Sequence, residues 1–207
     1  MSLPENITAL LFDMDGVLLD TETAYTEFWK DKLLPLLPED DDIFSKVKGA
    51  TLKDILDRYF PSPEMKEKVI SLVDEFESRM APEYIPGASD YLSKALRAGY
   101  KTALVTSSSN KKMKKIYSLY PGFKEQFDVT VTADDMIRSK PDPYCYLLAA
   151  EKLNVPPARC CVFEDSILGL KAGKSAGMYV VGLATTNPEE MIKPLADKVI
   201  NDFTEEL

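Results

Sequence analysis

The sequence predicts an α/β fold: a doubly wound, Rossmann-like parallel sheet with an inserted all-helical domain. Two observations indicate the sheet. A continuous apolar run covers residues 7–12, and from residue 88 onward short apolar runs alternate with amphipathic helical segments. Strands that alternate with helices are typical of parallel sheets carrying helices on both faces. A third observation, helical periodicity without a strand pattern over residues 21–80, indicates the insertion.

The first predicted strand is the apolar run at residues 7–12, which has the length and composition of a strand buried on both faces. The polar turn Asp13-Met14-Asp15-Gly16 follows it directly. The carboxyl ends of parallel strands form the crevice in which ligands bind. Two aspartates at such a place repel each other unless a cation or a proton lies between them. We therefore take Asp13 and Asp15 as the first candidate site residues.

The helical insertion follows this turn. Its predicted helices cover residues 21–30, residues 43–59 with an interruption near Gly49, and residues 64–80. Each shows the apolar spacing of an amphipathic helix. We therefore assign residues 21–83 to the inserted domain and residues 1–20 and 84–207 to the α/β core.

The rest of the core follows a linker at residues 82–87. Helices are predicted at residues 88–98, 111–119, 144–153 and 166–176, and strands at residues 101–106, 127–131, 160–163, 179–183 and 198–200. Gly99 and Gly177 are suited to end two of the helices, because glycine readily adopts the left-handed backbone of a helix C-terminus.

Composition excludes several classes of function. The net charge of −9 argues against a nucleic-acid partner, which requires a basic surface. No apolar run reaches the roughly 18 residues of a membrane span, and the start shows no signal-peptide pattern, so we expect no membrane partner. Three cysteines, two of them adjacent, do not form a disulfide framework and fit a reducing cytoplasm. A monomer is the default expectation.

The chain contains no histidine. This excludes nucleophilic machinery built on a histidine base, and it excludes histidine-ligated zinc or iron. A metal ion here must be held by oxygen atoms, which favours Mg²⁺, Mn²⁺ or Ca²⁺. Acid–base chemistry is left to carboxylates, lysine, tyrosine or cysteine.

Polar side chains follow four of the predicted strands, and all of them are expected at one edge of the sheet. The first strand is followed by Asp13 and Asp15, the second by Thr106, Ser107, Ser108 and Asn110, the third by Lys140, and the fourth by Glu164 and Asp165. Carboxylates, hydroxyls and one lysine in a single crevice suit a phosphoryl group bridged to a divalent cation.

Each residue type suggests a role. Asp13 is expected to attack phosphorus and form an aspartyl-phosphate, with Lys140 neutralising charge between them. The Thr106 hydroxyl and the Ser107 amide are expected to bind phosphate oxygens. Asp15 is expected to protonate the leaving oxygen and then deprotonate the attacking water.

The metal expected at this edge is Mg²⁺, held by Asp13, the backbone carbonyl of Asp15 and Asp165, with waters completing the octahedron. Each motif alone has a purely structural interpretation: a turn, a helix cap, a polar loop or a surface lysine. Their order and common edge make that interpretation unsatisfactory for the whole set. The basic cluster Lys111-Lys112 with Lys114-Lys115 is expected to be a solvated helix face, or alternatively a feature that attracts an anion.

The chain resembles the haloacid dehalogenase (HAD) superfamily, in the branch of small-molecule phosphatases and β-phosphoglucomutase-like enzymes with an inserted helical cap. The matching motifs are Asp13-Met14-Asp15-Gly16-Val17, Leu104-Val105-Thr106-Ser107, Lys140-Pro141-Asp142-Pro143 and Val162-Phe163-Glu164-Asp165-Ser166. The resemblance implies Mg²⁺, an aspartyl-phosphate and a cap that closes over the substrate. It also implies that Asn110 contacts phosphate and that Glu164 assists the metal site.

Departures from the family pattern bear on the reaction. The mutases carry a histidine where this chain has Tyr25, and a cap arginine for the distal phosphate, for which Lys53 is at best a shifted substitute. Both changes favour a phosphatase acting on a small phosphorylated metabolite such as a sugar phosphate. Substrate specificity is expected on the cap around Tyr25, Trp29 and Lys53.

Three other functions remain open at this point. One is a phosphosugar mutase of the β-phosphoglucomutase type, and another is a non-enzymatic phospho-acceptor signalling module with Asp13 as acceptor. A phosphonate hydrolase would need a Schiff-base lysine from the cap, for which the candidates are Lys30, Lys46, Lys48 and Lys53.

Overall fold

The computed structural model describes residues 3–37 and 47–205. Its strands are β1 (Ala9–Phe12), β2 (Leu19–Asp20), β3 (Glu83–Tyr84), β4 (Lys101–Val105), β5 (Val129–Val131), β6 (Cys160–Glu164), β7 (Tyr179–Leu183) and β8 (Lys198–Ile200). Six of them form one sheet in the order β5-β4-β1-β6-β7-β8, and every neighbouring pair in it is parallel. The predicted α/β class and its doubly wound parallel sheet are confirmed.

The helices also follow the predicted order. They are α1 (Glu22–Phe28), α2 (Leu52–Tyr59), α3 (Pro63–Arg79), α4 (Ala88–Arg97), α5 (Asn110–Leu119), α6 (Tyr144–Leu153), α7 (Ile167–Ser175) and α8 (Glu189–Ile192). Helix α1 continues as a π-helical segment, Trp29–Leu33, and a short 3₁₀ segment, Leu34–Leu36. Helix α8 and the part of these continuations beyond residue 30 were not predicted, since they are too short to show a period.

Strand β1 occupies the centre of the sheet and is buried on both faces. Leu10 and Phe12 pack into one apolar cluster, whereas Ala9 and Leu11 pack into a second cluster on the opposite face. Successive side chains of a strand point to opposite faces, so a continuous apolar run satisfies both layers at once. From β1 the chain order runs outward in both directions, which places the carboxyl end of β1 at the topological switch point of the sheet.

The helices between β2 and β3 have an apolar cluster of their own. Its buried members include Trp29, Phe60 and Val69, none of which belongs to the two clusters of the sheet. Helix α2 begins after Thr51, whose side chain accepts a hydrogen bond from the Asp54 amide. The earlier part of the helix predicted at residues 43–59 lies largely outside the described residues, and Gly49, with a φ of +84°, breaks the helical path there.

Two short strands, β2 and β3, were not predicted. They pair antiparallel with Leu19 opposite Tyr84 and Asp20 opposite Glu83, at the two places where the chain leaves and re-enters the core. A ladder of two residues per strand carries no periodic pattern, so the sequence shows only a linker there. No helix in the part of the chain that the structure describes is long and apolar enough to cross a membrane.

We propose that the helices between β2 and β3 form a separate cap, with bounds at residues 21–83 as the sequence predicts. The single tryptophan of the chain, Trp29, lies in the cap cluster and reports on the cap alone.

Replacing Phe60, which is fully buried in the cap cluster, tests this division. Phe60→Ala is expected to destabilise the cap by about 3–5 kcal/mol. In urea unfolding, the tryptophan fluorescence of this variant should then change before its far-ultraviolet circular dichroism. Phe123→Ala, which truncates a fully buried residue of the sheet cluster, is the matched control and should shift mainly the circular dichroism. Coincident transitions in both variants would show that cap and core unfold as one unit.

Candidate active site

The carboxyl ends of β4, β1 and β6 lie side by side. Phe12, the last residue of β1, is in register with Leu104 of β4 and with Phe163 of β6. The residues that follow each strand therefore meet at one edge, as predicted. The Asp13 amide extends the sheet by one more hydrogen bond, which it donates to the Phe163 carbonyl at 3.0 Å.

Lys140 lies beneath this edge and is 2% exposed. Its Nζ donates to Asp13 Oδ1 at 2.7 Å and to Glu164 Oε1 at 2.5 Å. Burial opposes the charge of the ammonium group, but the two carboxylates outweigh burial and hold the pKa of Lys140 well above its ordinary value. Lys140 is therefore a permanent cation that joins the first and fourth predicted motifs.

Glu164 is fully buried, and both of its carboxylate oxygens are saturated with donors. Oε1 accepts hydrogen bonds from Lys140 and from the Tyr146 hydroxyl, the latter at 2.9 Å. Oε2 accepts from the amides of Asp165 and Ser166 and from the Ser166 hydroxyl, each at 3.0 Å. In this arrangement Glu164 anchors the lysine and the loop, so its predicted part at the metal site stays a prediction.

Two glycines allow these carboxylates to sit where they do. A Cβ on Gly169 would lie 1.7 Å from Glu164 Oε1, and a Cβ on Gly16 would lie 2.2 Å from Asp165 Oδ2. Gly16 also has a φ of +74°, a conformation that side chains disfavour. Both positions therefore require glycine for the site to keep its shape.

Three carboxylates converge on the same point. Asp13, Glu164 and Asp165 each offer an oxygen, and these oxygens lie within 4.8 Å of one another. Burial and the neighbouring carboxylates raise the pKa of Asp13 to about 8, although Lys140 opposes the shift. Burial, followed by repulsion from Glu164, Glu22 and Asp13, also raises the pKa of Asp165 well above its ordinary value.

This cluster fits a divalent cation. One ammonium group balances only part of the charge of three buried carboxylates, which leaves Asp13 and Asp165 facing each other with excess negative charge. The donors are all oxygen atoms, the type that hard divalent cations prefer. The residues present could therefore hold a metal ion, with Asp13 and Asp165 as the carboxylates whose charge is least compensated.

Asp15 lies in a different environment from Asp13. Its Oδ1 accepts from the Thr21 hydroxyl at 2.6 Å and from Lys112 Nζ at 2.7 Å, while its Oδ2 accepts from the Ser108 hydroxyl at 2.7 Å. Burial acts to raise the pKa of Asp15. The Lys112 charge and the three hydrogen bonds outweigh burial and lower that pKa below its ordinary value. The two aspartates of the first motif are thus separated electrostatically.

Lys112 corrects one expectation. The basic cluster was expected to be a solvated helix face, but Lys112 is only 4% exposed and its Nζ lies 4.6 Å from the centroid of the Tyr25 ring. Lys112 shares the buried side of α5 with Met113 and Ile116. That position on the apolar stripe of the helix, four residues before Ile116, was the sequence signal that could have identified it.

A cavity of about 480 Å³ lies between the strand ends and the helices of the proposed cap. Eight of the predicted site residues line it: Asp13, Asp15, Ser107, Ser108, Asp165, Tyr25, Trp29 and Lys53. Lys140 and Glu164 lie beneath the cavity floor, both buried. The structure therefore brings most of the predicted site together around one chamber.

Two predicted phosphate ligands are placed differently. Thr106 is buried directly after β4, where its Oγ1 accepts from the Ser108 amide at 3.1 Å. Asn110 is outside the cavity lining, and its Oδ1 accepts from the Thr132 hydroxyl at 3.2 Å. Phosphate contacts from Thr106 and Asn110 stay predictions.

The loop around Gly49 lies against the strand ends and closes the cavity on one side. Ser107 Oγ donates to the Gly49 carbonyl at 2.7 Å, and a Cβ on Gly49 would lie 2.4 Å from Ser166 Oγ. Lys48 in the same loop is paired with Glu22 at 3.2 Å. Of the other lysines considered for a Schiff base, Lys53 lines the cavity and Lys30 does not, while Lys46 lies outside the described residues.

Tyr146 is a site-supporting residue that sequence reasoning missed, and its hydroxyl can be tested. Tyr146→Phe removes one of the two donors to Glu164 Oε1 in a fully buried place. Because that bond goes to a charged acceptor, thermal or urea unfolding should show a loss of about 1.5–3 kcal/mol. The matched control is Tyr144→Phe on the same helix, whose ring lies beside Arg138 and is partly exposed. Equal stability losses in both variants would contradict the anchoring role of Tyr146.

Comparisons with known proteins identify the family of this chain. The haloacid dehalogenase-like hydrolase family model matches residues 10–183. The chain is 37% identical over 191 residues to the putative phosphatase YhcW of Bacillus subtilis, covering 84% of this chain and 82% of that protein. It is 34% identical over 178 residues to a phosphorylated carbohydrates phosphatase of Thermotoga maritima, covering 82% of each.

Two further similarities differ in scope. The bifunctional riboflavin kinase/FMN phosphatase of Arabidopsis thaliana is 30% identical over 212 residues, but the chain spans only 55% of that protein's length against 98% of its own. The crystal structure of a CbbY variant from Rhodobacter sphaeroides in complex with xylulose-(1,5)bisphosphate superposes with a TM-score of 0.79 and 26% identity, covering 96% of each chain. The predicted family is confirmed: the chain belongs to the haloacid dehalogenase-like hydrolases.

Proposed function

We propose that this protein is a Mg²⁺-dependent phosphatase that hydrolyses a small phosphorylated metabolite, such as a sugar phosphate, through an aspartyl-phosphate. The observation that carries the proposal is the buried cluster of Asp13, Lys140 and Asp165 at the floor of a capped cavity. Relatives named as phosphatases, one of them of phosphorylated carbohydrates, support the same reaction class.

The proposed reaction proceeds in two displacements. In the first, an Asp13 oxygen bonds to phosphorus while the ester P–O bond breaks, and Asp15 gives a proton to the leaving oxygen. In the second, a water molecule attacks the phosphorus, Asp15 takes a proton from that water, and the Asp13–phosphate bond breaks. Asp13 and Asp15 are thereby restored, and the products are an alcohol and inorganic phosphate.

The divided environments of the two aspartates support these roles. Asp13 is fixed to Lys140, which can hold the nucleophile in place and offset the negative charge of an approaching phosphate. Asp15 is held from the other side, by Thr21, Ser108 and Lys112, and it also lines the cavity. The lowered pKa favours the carboxylate form of Asp15, which is the form that takes a proton from water in the second displacement.

Mg²⁺ would be held by Asp13, Asp165 and the backbone carbonyl of Asp15. When bound, it would neutralise charge on the phosphate oxygens. Glu164 would contribute indirectly, because its own oxygens are already engaged by Lys140 and by the backbone of the adjacent loop.

The cavity favours a small group with both polar and apolar surface beyond the phosphate. Its cap side is lined by apolar side chains, among them Trp29 and Ile55, and by polar ones, among them Thr51, Lys53 and Glu77. A volume of about 480 Å³ lies within the range of cavities that bind small ligands.

The cap side offers little for a second phosphate, which favours hydrolysis over a mutase reaction. Lys48 is paired with Glu22, and the Tyr25 hydroxyl donates to Glu77 at 2.6 Å. Among the described cap residues lining the cavity, Lys53 is the cation for which no ion pair is seen. A bisphosphate intermediate would need stronger cationic recognition at this end of the cavity.

Removing the nucleophile tests the reaction. Asp13→Asn should reduce hydrolysis of 4-nitrophenyl phosphate and of sugar phosphates by roughly 10⁴-fold or more, since the amide cannot form the acyl phosphate. Asp90→Asn, on the exposed surface of α4, is the control and should retain wild-type rates. Full activity in Asp13→Asn would contradict the proposed mechanism. Net isomerisation of β-glucose 1-phosphate that outpaces phosphate release would favour a mutase instead.

The raised pKa of Asp13 gives a pH-dependent test of metal binding. In the metal-free protein the raised pKa means that protonation stabilises the fold, so this contribution is lost as pH rises from about 4 through about 8. A divalent cation can replace the proton. Mg²⁺ should therefore raise the melting temperature more at about pH 9 than at about pH 6, relative to samples with EDTA.

Two controls make this measurement specific. Sodium chloride at matched ionic strength should not reproduce the shift, and Asp165→Asn should reduce it because one of the proposed ligands is lost. An equal Mg²⁺ effect at both pH values would contradict the replacement of a proton by the ion.

A further inference from the structure

Three lysines of α5 reach across the boundary between core and cap. Lys111 Nζ pairs with Asp74 Oδ2 of α3 at 2.7 Å, and Lys115 Nζ donates to the Ser78 carbonyl of the same helix at 2.7 Å. Lys112 lies between them in the chain, and it pairs with Asp15 at 2.7 Å instead.

Lys112 touches both sides of the boundary at once. Its ammonium group bonds to Asp15 in the core and lies 4.6 Å from the centroid of the Tyr25 ring in the cap. The Tyr25 hydroxyl in turn donates to Glu77, so an anionic cap residue stands behind the ring. A cation over an aromatic face is attracted most strongly when water is excluded, as it is at this buried position.

The Asp15 carboxylate has three side-chain partners, and they belong to different parts of the molecule. Ser108 belongs to the core and Thr21 to the junction between core and cap. Lys112 belongs to a core helix and also contacts the ring of Tyr25 on helix α1 of the proposed cap. Its position is therefore sensitive to where the cap lies, whereas the contact of Ser108 with Asp15 is made within the core.

We propose that Lys112 is a positioning residue that fixes the Asp15 carboxylate when the cap lies over the cavity, and so links cap closure to proton transfer. This inference rests on the proposed phosphatase function. With the Tyr25 ring in place, Lys112 is confined and Asp15 is held at the cavity wall. With the ring displaced, Lys112 loses its contact with Tyr25, and the Asp15 carboxylate is no longer held in one orientation.

The neighbouring lysine provides a matched comparison. Lys111 also bridges core and cap, but its side chain is 69% exposed and its partner is Asp74 rather than Asp15. Removing the Lys111 charge weakens the boundary without touching the acid–base group. Any effect specific to positioning should therefore appear at Lys112 and be absent at Lys111.

The experiment compares leaving groups in single-turnover reactions. An alkyl phosphate such as glycerol 3-phosphate needs a proton on its leaving oxygen, whereas 4-nitrophenyl phosphate releases a stable phenolate without one. Lys112→Met, which keeps the aliphatic stem, should slow alcohol release by roughly 100-fold, within the contribution of general acid–base catalysis. Release of 4-nitrophenolate should change much less, with little effect on KM. Lys112→Arg should restore part of the alkyl rate.

The control variant and the possible outcomes distinguish failure of this inference from failure of the proposed phosphatase function. Lys111→Met should change both rates by the same modest factor. Equal losses on both substrates in Lys112→Met, or a Lys112→Met variant that matches Lys111→Met, would overturn the inference while leaving the phosphatase in place. If Lys112→Met fails to fold, Lys112→Gln, which removes the charge but keeps a polar side chain, carries the test, and an unchanged ratio of alkyl to aryl rates in it overturns the inference. A wild-type protein that hydrolyses neither substrate overturns the proposed function itself.

Discussion

The charge imbalance around Lys140 is the constraint on which the rest of the site depends. One buried ammonium group faces Asp13 and Glu164, and Asp165 lies within reach of both carboxylates. Ions buried in this way are costly unless each is paired and hydrogen-bonded. Glu164 meets that condition through Lys140, Tyr146 and the adjacent amides. Asp13 shares the single charge of Lys140 with Glu164, and Asp165 has no salt bridge to a lysine or arginine of the described residues. The uncompensated negative charge therefore lies on Asp13 and Asp165, the two carboxylates that line the cavity, where a cation can offset it.

The parallel sheet makes this concentration possible. Each strand carries its following residues to the same edge. Asp13 and Asp165, which are far apart in the chain, therefore converge because β1 and β6 pair in parallel. The sequence could predict this part because it depends on strand order and on residues that come directly after a strand. The alternation of apolar runs and helices predicted the order of the strands along the chain, and the continuous apolar character of residues 7–12 predicted that β1 is buried on both faces. The central position of β1 was not predicted.

Side chains that reach the site from within helices were harder to predict. Tyr146 has the same apolar spacing as any core aromatic residue, and nothing in the pattern shows that its hydroxyl meets Glu164. Lys112 was interpreted with three neighbouring lysines as part of a solvated face. Its place on the apolar stripe of α5 indicates burial, but its contact with Asp15 is tertiary and no local pattern encodes it. The ladder of β2 and β3 was missed for a different reason, since two residues per strand are too few to show alternation.

That ladder also has a mechanical consequence. The chain passes between the core and the proposed cap twice, and the pairs Leu19–Tyr84 and Asp20–Glu83 hold the two connections together. Two separate connections would let the proposed cap both rotate and translate relative to the core. Two connections that are paired with each other restrict it mainly to rotation about one axis. Rotation about such an axis would separate Gly49 from Ser107 and the Tyr25 ring from Lys112 in the same movement. Access to the cavity and the enclosure of Asp15 would then both depend on the angle of this one rotation.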